Sequence, residues 1–344
     1  MPPAGRLRSR ACCALLVSLA VSLAACGADG VAPTGPHGTA GGPAQVLLTV
    51  ALPALDTARD GRYEAWVVDA GETRRSIGRF ATGGSYTLAS PVADPTAIEI
   101  TLERPDDADA VPSAQLLLRG RVQRGHADLG YAGAVTQNDL PLRPSPGQFT
   151  MFTPSDNDSL GYPSNEQSGV WLFNMAPAQT AQRDYYVRLT PLQSGWTYEG
   201  WMVRDLDRPN AIWLSYGKFV PDWTSAVNQP DDTGWGPFSG VLDFRRARLE
   251  DFPGDDWISN PLRLPWRADL TLPLDLREKD AQGRMRWSHV ITIEPATDRG
   301  EPVTTERPFV LHPYVDAFGD LGPGIARTIT AHLETMPRGT ADVR

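Results

Sequence analysis

The chain has 344 residues, 41% of them apolar, and its 32 basic against 41 acidic residues give a net charge of −9. That length and apolar content suffice for an ordinary hydrophobic core spread over one or two domains. The acidic balance argues against nucleic acid and against an anionic membrane surface as partners.

The first residues divide into three parts. Arg6, Arg8 and Arg10 are followed by an apolar run, Ala11 to Leu23, and then by Leu23-Ala24-Ala25-Cys26. As a helix the thirteen-residue run would reach about 20 Å, short of a hydrocarbon core of about 30 Å, so it reads as a secretory signal rather than a membrane span. Leu-Ala-Ala-Cys resembles the lipobox of bacterial lipoproteins, which implies cleavage after Ala25 and acylation (palmitate among the chains) of the Cys26 thiol. An ordinary signal peptide with an incidental cysteine is the competing reading. Residues 26–44, crowded with Gly, Ala, Pro and Thr, suit a tether. Cys12 and Cys13 leave with the signal, so no disulfide framework, thiolate metal site or cysteine nucleophile is expected. The mature chain would hold 29 basic and 41 acidic residues, a charge of −12.

Beyond the tether, four blocks occur twice in the same order. Leu52-Pro53-Ala54-Leu55 returns as Leu189-Thr190-Pro191-Leu192, and Tyr63-Glu64-Ala65-Trp66-Val67-Val68 as Tyr198-Glu199-Gly200-Trp201-Met202-Val203. Ser76-Ile77-Gly78-Arg79-Phe80 returns as Ser215-Tyr216-Gly217-Lys218-Phe219, and Ile100-Thr101-Leu102-Glu103 as Ile291-Thr292-Ile293-Glu294. The order indicates a tandem duplication. Runs of four to eight β-branched or aromatic residues, punctuated by Gly, Pro, Asp and Asn, predict strands. Those of the first unit lie over 45–52, 63–68, 76–80, 98–103 and 115–122. Those of the second lie over 148–153, 170–174, 185–189, 197–203, 212–219, 290–294 and 308–314. The chain is therefore expected to be all-β, with two tandem Ig-like β-sandwiches at 45–130 and 148–315 joined by a linker at 131–147. In the tail, 316–344, Ile325, Ile329, Leu333 and Met336 share one helical face and predict a short terminal helix.

Turn residues between 68 and 76 predict an antiparallel hairpin. Centring its turn between Gly71 and Glu72 sets Tyr63 opposite Phe80, Glu64 opposite Arg79 and Trp66 opposite Ile77. The second unit by the same logic sets Glu199 opposite Lys218. Each pairing gives a half-buried carboxylate the opposite charge that it needs.

The pattern Tyr-Glu-x-Trp-x-Val, a turn, then Ser-x-Gly-Arg/Lys-Phe resembles the extracytoplasmic C-terminal domain of anti-sigma-K factors, over about half of the mature chain. Residues 148–257 are also similar to a group of exported lipoproteins of unassigned function. The carriers are Phe152-Thr153-Pro154-Ser155-Asp156, Asn165-Glu166-Gln167-Ser168-Gly169-Val170-Trp171, Gly195 through Trp201, and Pro253-Gly254-Asp255-Asp256-Trp257. The resemblance implies a fold. Sigma-factor binding is not expected, because the helical sigma-binding domain and transmembrane helix of that family are not seen here.

Sequence signatures of catalysis are missing: no Gly-x-Ser-x-Gly, His-Glu-x-x-His, phosphate-binding glycine loop or Cys-x-x-Cys occurs. His126, His289, His312 and His332 stand apart in sequence, as surface or core histidines do. Asp156-Asn157-Asp158-Ser159-Leu160-Gly161 begins like a calcium loop, but Leu160 holds a ligand position and no Glu closes it; an Asx-turn explains it as well. The second unit carries an insertion, 220–286, in which Trp223, Trp235, Trp257 and Trp266 accompany Asp231, Asp232, Asp255 and Asp256. Aromatic faces beside carboxylates suit a glycan or peptide, and tryptophans also anchor long loops. The expectation is a non-catalytic lipoprotein of the cell envelope, without metal or cofactor, held to the membrane through its lipid. It would act in interaction or envelope structure, with carbohydrate or cell-wall binding through Trp223, Trp235, Trp257, Asp231 and Asp232 as the alternative. Gly27, where an Asp would favour inner-membrane retention, favours the outer membrane if there is one.

Overall fold

The computed structural model describes residues 44–153, 166–172, 187–220, 254–260, 263, 266–296, 306–319 and 322–344. The signal, Cys26, the calcium-like run and most of the insertion, including Trp223, Asp231, Asp232 and Trp235, lie outside them. Within them the chain is all-β, and no helix is long and apolar enough to cross a membrane.

Seven strands come from the first unit: β1 (Ala44–Ala51), β2 (Arg62–Val68), β3 (Arg74–Phe80), β4 (Gly84–Ser90), β5 (Ala97–Glu103), β6 (Leu116–Arg121) and β7 (His126–Gly130). The rest are β8 (Gln148–Met151), β9 (Gly169–Trp171), β10 (Trp196–Arg204), β11 (Ile212–Phe219) and β12 (Gly254–Asp256), followed by β13 (Trp287–Pro295), β14 (Leu311–Ala317), β15 (Arg327–Thr328) and β16 (Arg338–Val343). β1 shows why such segments become strands. Val46, Leu48 and Val50 are buried, while the residues between them face outward, the two-residue period of a pleat with one apolar face.

An eight-stranded antiparallel sheet runs β3-β2-β5-β6-β7-β16-β1-β4. Its two edge strands are consecutive in the chain and come together, Phe80 of β3 stacking on Tyr86 of β4 with ring centroids 4.6 Å apart. The sheet thus rolls over its own core. A second sheet, β11-β10-β13-β14, repeats the strand order of β3-β2-β5-β6, and a third runs β12-β9-β8-β15.

The duplication extends to register. Tyr63 lies opposite Phe80 and Glu64 opposite Arg79, as Tyr198 lies opposite Phe219 and Glu199 opposite Lys218. Both hairpins then shift register at the same place, so Trp66 faces Ser76, not Ile77, and Trp201 faces Ser215. One extra residue on the outer strand, Ile77 or Tyr216, makes a β-bulge in each. Even the block upstream keeps its role: the Tyr63 hydroxyl donates to the Pro53 carbonyl at 3.1 Å, and that of Tyr198 to the Thr190 carbonyl at 2.8 Å.

Gly200 is required by this bulge. A Cβ there would fall 1.7 Å from Cζ of the buried Tyr216 ring. Gly200→Ala is expected to cost about 1–3 kcal/mol through overpacking, read as a fall in the urea midpoint. An unchanged midpoint would mean that the Tyr216 ring is free to move aside.

One expectation, the terminal helix, is corrected below. Residues 42–344 group as one compact unit, within which the two β-rich halves share a core. The segment 131–147 bonds to the second half, with Gln137 N donating to Pro191 O at 2.9 Å and Gln193 N to Val135 O at 2.9 Å. One apolar cluster joins Val46 and Ile100 to Ile291 and Tyr314. The tail forms no α-helix. Ile329 N donates to Gly147 O and Ala331 N to Pro144 O, both at 2.9 Å, so those donors bond across to another segment. The periodic apolar residues instead sit in extended backbone and a short 3-10 turn, Leu333–Thr335. Beyond it, β16 fills the slot between β7 and β1.

Candidate functional site

The outer faces of the two equivalent four-strand arrays each carry a buried tryptophan joined to carboxylates. In the first, Trp66 Nε1 donates to Thr101 Oγ1 at 2.8 Å. Thr101 donates to Glu103, which also accepts Ser113 N at 3.1 Å. In the second, Trp201 Nε1 donates to Thr292 Oγ1 at 3.0 Å, and Thr292 Oγ1 to Glu294 Oε1 at 2.6 Å. Glu294 then accepts Phe309 N on both oxygens, at 2.8 and 2.9 Å. Thr and Glu two residues apart on β5 and β13 place both side chains on one face, and the segment after each strand supplies the closing N–H.

The paired carboxylates complete the arrays. Glu64 accepts from Ser76 and, at 2.8 Å, from Arg79 Nε. Arg79 also donates to Asp107 Oδ2 at 2.6 Å, to Asp107 O at 2.7 Å and to Asp109 O at 3.0 Å, pinning the loop that follows β5. Among the described residues, Glu64, Glu103 and Asp107 bring carboxylate oxygens within 4.8 Å of one another. The Arg79 guanidinium lies on two of those groups and supplies the positive charge of the cluster. Burial pushes the Glu103 carboxyl above its ordinary range, against its bonds from Thr101 and Ser113.

The second copy differs in its cation. Ser215 Oγ donates to Glu199 Oε1 at 2.7 Å, but no ion pair joins Glu199 to Lys218, although the two stand opposite each other. Burial, with Glu294 and Glu306 nearby, raises the Glu199 carboxyl well above the ordinary range, and Lys218 and Ser215 offset this only in part. A shorter, primary ammonium replaces a guanidinium that reaches several acceptors in a plane.

Other titratable groups are also engaged internally. His289 is fully buried between Phe149 and Tyr216, at ring distances of 4.3 and 5.9 Å, and its Nε2 lies 2.9 Å from the Tyr216 hydroxyl. Burial lowers its pKa to about 3, so it stays neutral. His126 is exposed beside Asp342, which raises its pKa through a 2.8 Å contact.

Trp257, which the alternative reading placed in a ligand-binding face, is fully buried and belongs to the apolar core. Its backbone N–H donates to Ser168 O at 2.7 Å and its backbone carbonyl accepts Leu274 N at 2.9 Å, so this residue ties the inserted chain to the sheet. Asp255 and Asp256 lie buried in β12. Trp266 is partly buried, its Nε1 donating to Leu270 O at 2.9 Å. The expected pairs, Glu64 with Arg79 and Glu199 with Lys218, both stand in register. Ser76, Thr101, Glu103 and Asp107 were not foreseen, although the repeated Thr-x-Glu stands in both units as a block without a role.

The fold and these arrays define an all-β protein built on a duplicated four-strand unit with a buried Trp-Thr-Glu relay. No family model, curated protein or solved structure matches the chain.

Proposed function

We propose that the chain is a lipid-tethered, extracytoplasmic, non-catalytic lipoprotein, a module of interaction or structure in the cell envelope. The observation that carries this reading is Leu23-Ala24-Ala25-Cys26 directly behind a cationic and then apolar leader. The resemblance of both repeats to anti-sigma-K extracytoplasmic domains belongs to the same proposal and supports an exported setting. The non-catalytic role is supported by the bonding of the buried acids and of His289, which are spent on holding strands and loops together. Gly27 supports placement in an outer membrane where one exists.

Cys26→Ala tests the anchor. The wild-type protein is expected to incorporate labelled palmitate and to pellet with membranes after a high-salt wash, because two or more acyl chains give lasting attachment. The variant is expected to lose the label. A variant that still carries label, or a wild type that never does, overturns the reading.

A further inference from the structure

The eight-stranded sheet ends on β3 and β4, and these two edges are built differently. β3 is guarded as exposed edges usually are, by Arg74, Arg75 and Arg79 and by the bulge at Ile77. β4 has no such guard: no charged residue occurs from Ala81 to Ala93. The direction of its backbone groups follows from its neighbours. Gln45 N donates to Arg344 O at 2.8 Å and Arg344 N to Gln45 O at 2.9 Å, so Gln45, Leu47 and Thr49 bond β16. By alternation Val46, Leu48 and Val50 bond β4, at Leu88, Tyr86 and Gly84. Ser85, Thr87 and Ala89 therefore turn their N–H and C=O groups away from β1. All three residues are exposed, and among the described residues no strand or loop bonds those groups. The edge is also held in place. Tyr86 stacks on Phe80, its hydroxyl donates to Thr82 O at 2.7 Å, and Thr49 Oγ1 lies 3.0 Å from Ser85 Oγ.

We propose that β4 is a dimer interface, which pairs antiparallel with β4 of a second copy of this chain about a twofold axis at Thr87. In that register Thr87 faces its own counterpart, Ser85 faces Ala89 and Tyr86 faces Leu88. A threonine thus meets a threonine and an aromatic ring an aliphatic side chain, both favourable cross-strand pairs. The three outward residues of each copy exchange their bonds pairwise, so every N–H and C=O that they turn outward finds a partner. A twofold interface requires this self-complementarity, and an unrelated peptide would not. The missing charge points to the same occupant. A different partner could be steered by opposite charge, which a second copy of a chain with net charge −9 cannot offer. An uncharged edge lets two such copies pair without setting like charges opposite each other.

The test uses the full-length mature protein in detergent, with micelles in excess so that copies do not share one by chance. Sedimentation reads the mass, and mild oxidation of cysteine variants reads the register, with wild type as the blank. The wild-type protein is expected to sediment as two chains. Thr87→Cys sets two thiols on residues whose Cα atoms lie about 5.5 Å apart, within the disulfide range of about 4.4–6.8 Å. Ser85→Cys leaves its two copies roughly 13 Å apart along the strands. Thr87→Cys is therefore expected to give about tenfold more cross-linked dimer than Ser85→Cys. Thr87→Lys opposes two ammonium groups at the axis and is expected to halve the mass, whereas Thr87→Val is expected to keep it. Position 87 is exposed in the single chain, so both variants are expected to keep the far-ultraviolet dichroism of the wild type. If the lysine variant loses it, the two cysteine variants still decide. A wild type that sediments as one chain, equal cross-linking at positions 85 and 87, or a folded Thr87→Lys variant that stays dimeric overturns the proposal. So does a Thr87→Cys protein that links only to a different envelope protein.

Discussion

Trp201→Ala is expected to lower stability by about 3–5 kcal/mol, and Trp66→Ala by a similar amount. Both indoles are fully buried, so truncation opens a large cavity and leaves a threonine hydroxyl without its donor. Trp201 also centres a small apolar cluster with Val203 and Val290, closed by Trp213 edge-on at 5.9 Å. Trp201→Phe keeps most of that packing and removes only the N–H donated to Thr292, so it is expected to cost about 1–2 kcal/mol. Urea melts of Trp201→Ala, Trp201→Phe, Trp66→Ala and Trp66→Phe measure this. Equal ordering in both repeats supports equivalent roles, whereas a loss below about 1 kcal/mol for either alanine variant would remove the cavity argument.

The second large effect separates the repeats by charge. Glu64→Gln is expected to destabilise by about 1–3 kcal/mol, because Arg79 then faces a neutral amide and the loop held through Asp107 loosens. Glu199→Gln is expected to do the reverse at alkaline pH. The folded protein holds the Glu199 carboxyl well above its ordinary range, so folding takes up a proton there. That stabilisation is present in full below the unfolded value, near 4.3, and falls away as pH rises towards the folded value. Glutamine mimics the protonated acid and keeps an oxygen for Ser215. Thermal midpoints from pH 5 to 9 are therefore expected to decline less in Glu199→Gln than in wild type. A parallel decline would show that the carboxyl is ionised in the fold.

The hairpin register was legible because acid, base and aromatic residues occur at matched distances from a short turn. Ile77 was misplaced because the bulge adds one residue without altering that pattern, and its glycines, Gly78 and Gly217, were its sole trace. The tail misled for a different reason. Its spacing of three and four fits a helix, but Ile329 and Met336 are buried by neighbouring segments rather than by one helical face. The carboxylate arrays were hidden in another way. Glu, Thr and Glu alternating on β5 look like a solvent face, but Arg74 and Arg119 close over Glu99, and Glu103 bonds the loop 104–113, which has no periodicity.

β16 carries a consequence for biogenesis. The last strand of the chain sits between β7 and β1, bonding the first strand along its length from Val46 to Ala51. Until residues 338–343 emerge, β1 and β7 present unsatisfied edges across an open slot. Closure joins segments nearly 300 residues apart, and such high contact order makes folding slow. The eight-stranded sheet of a nascent chain therefore cannot close before residues 338–343 are available to pair with β1 and β7.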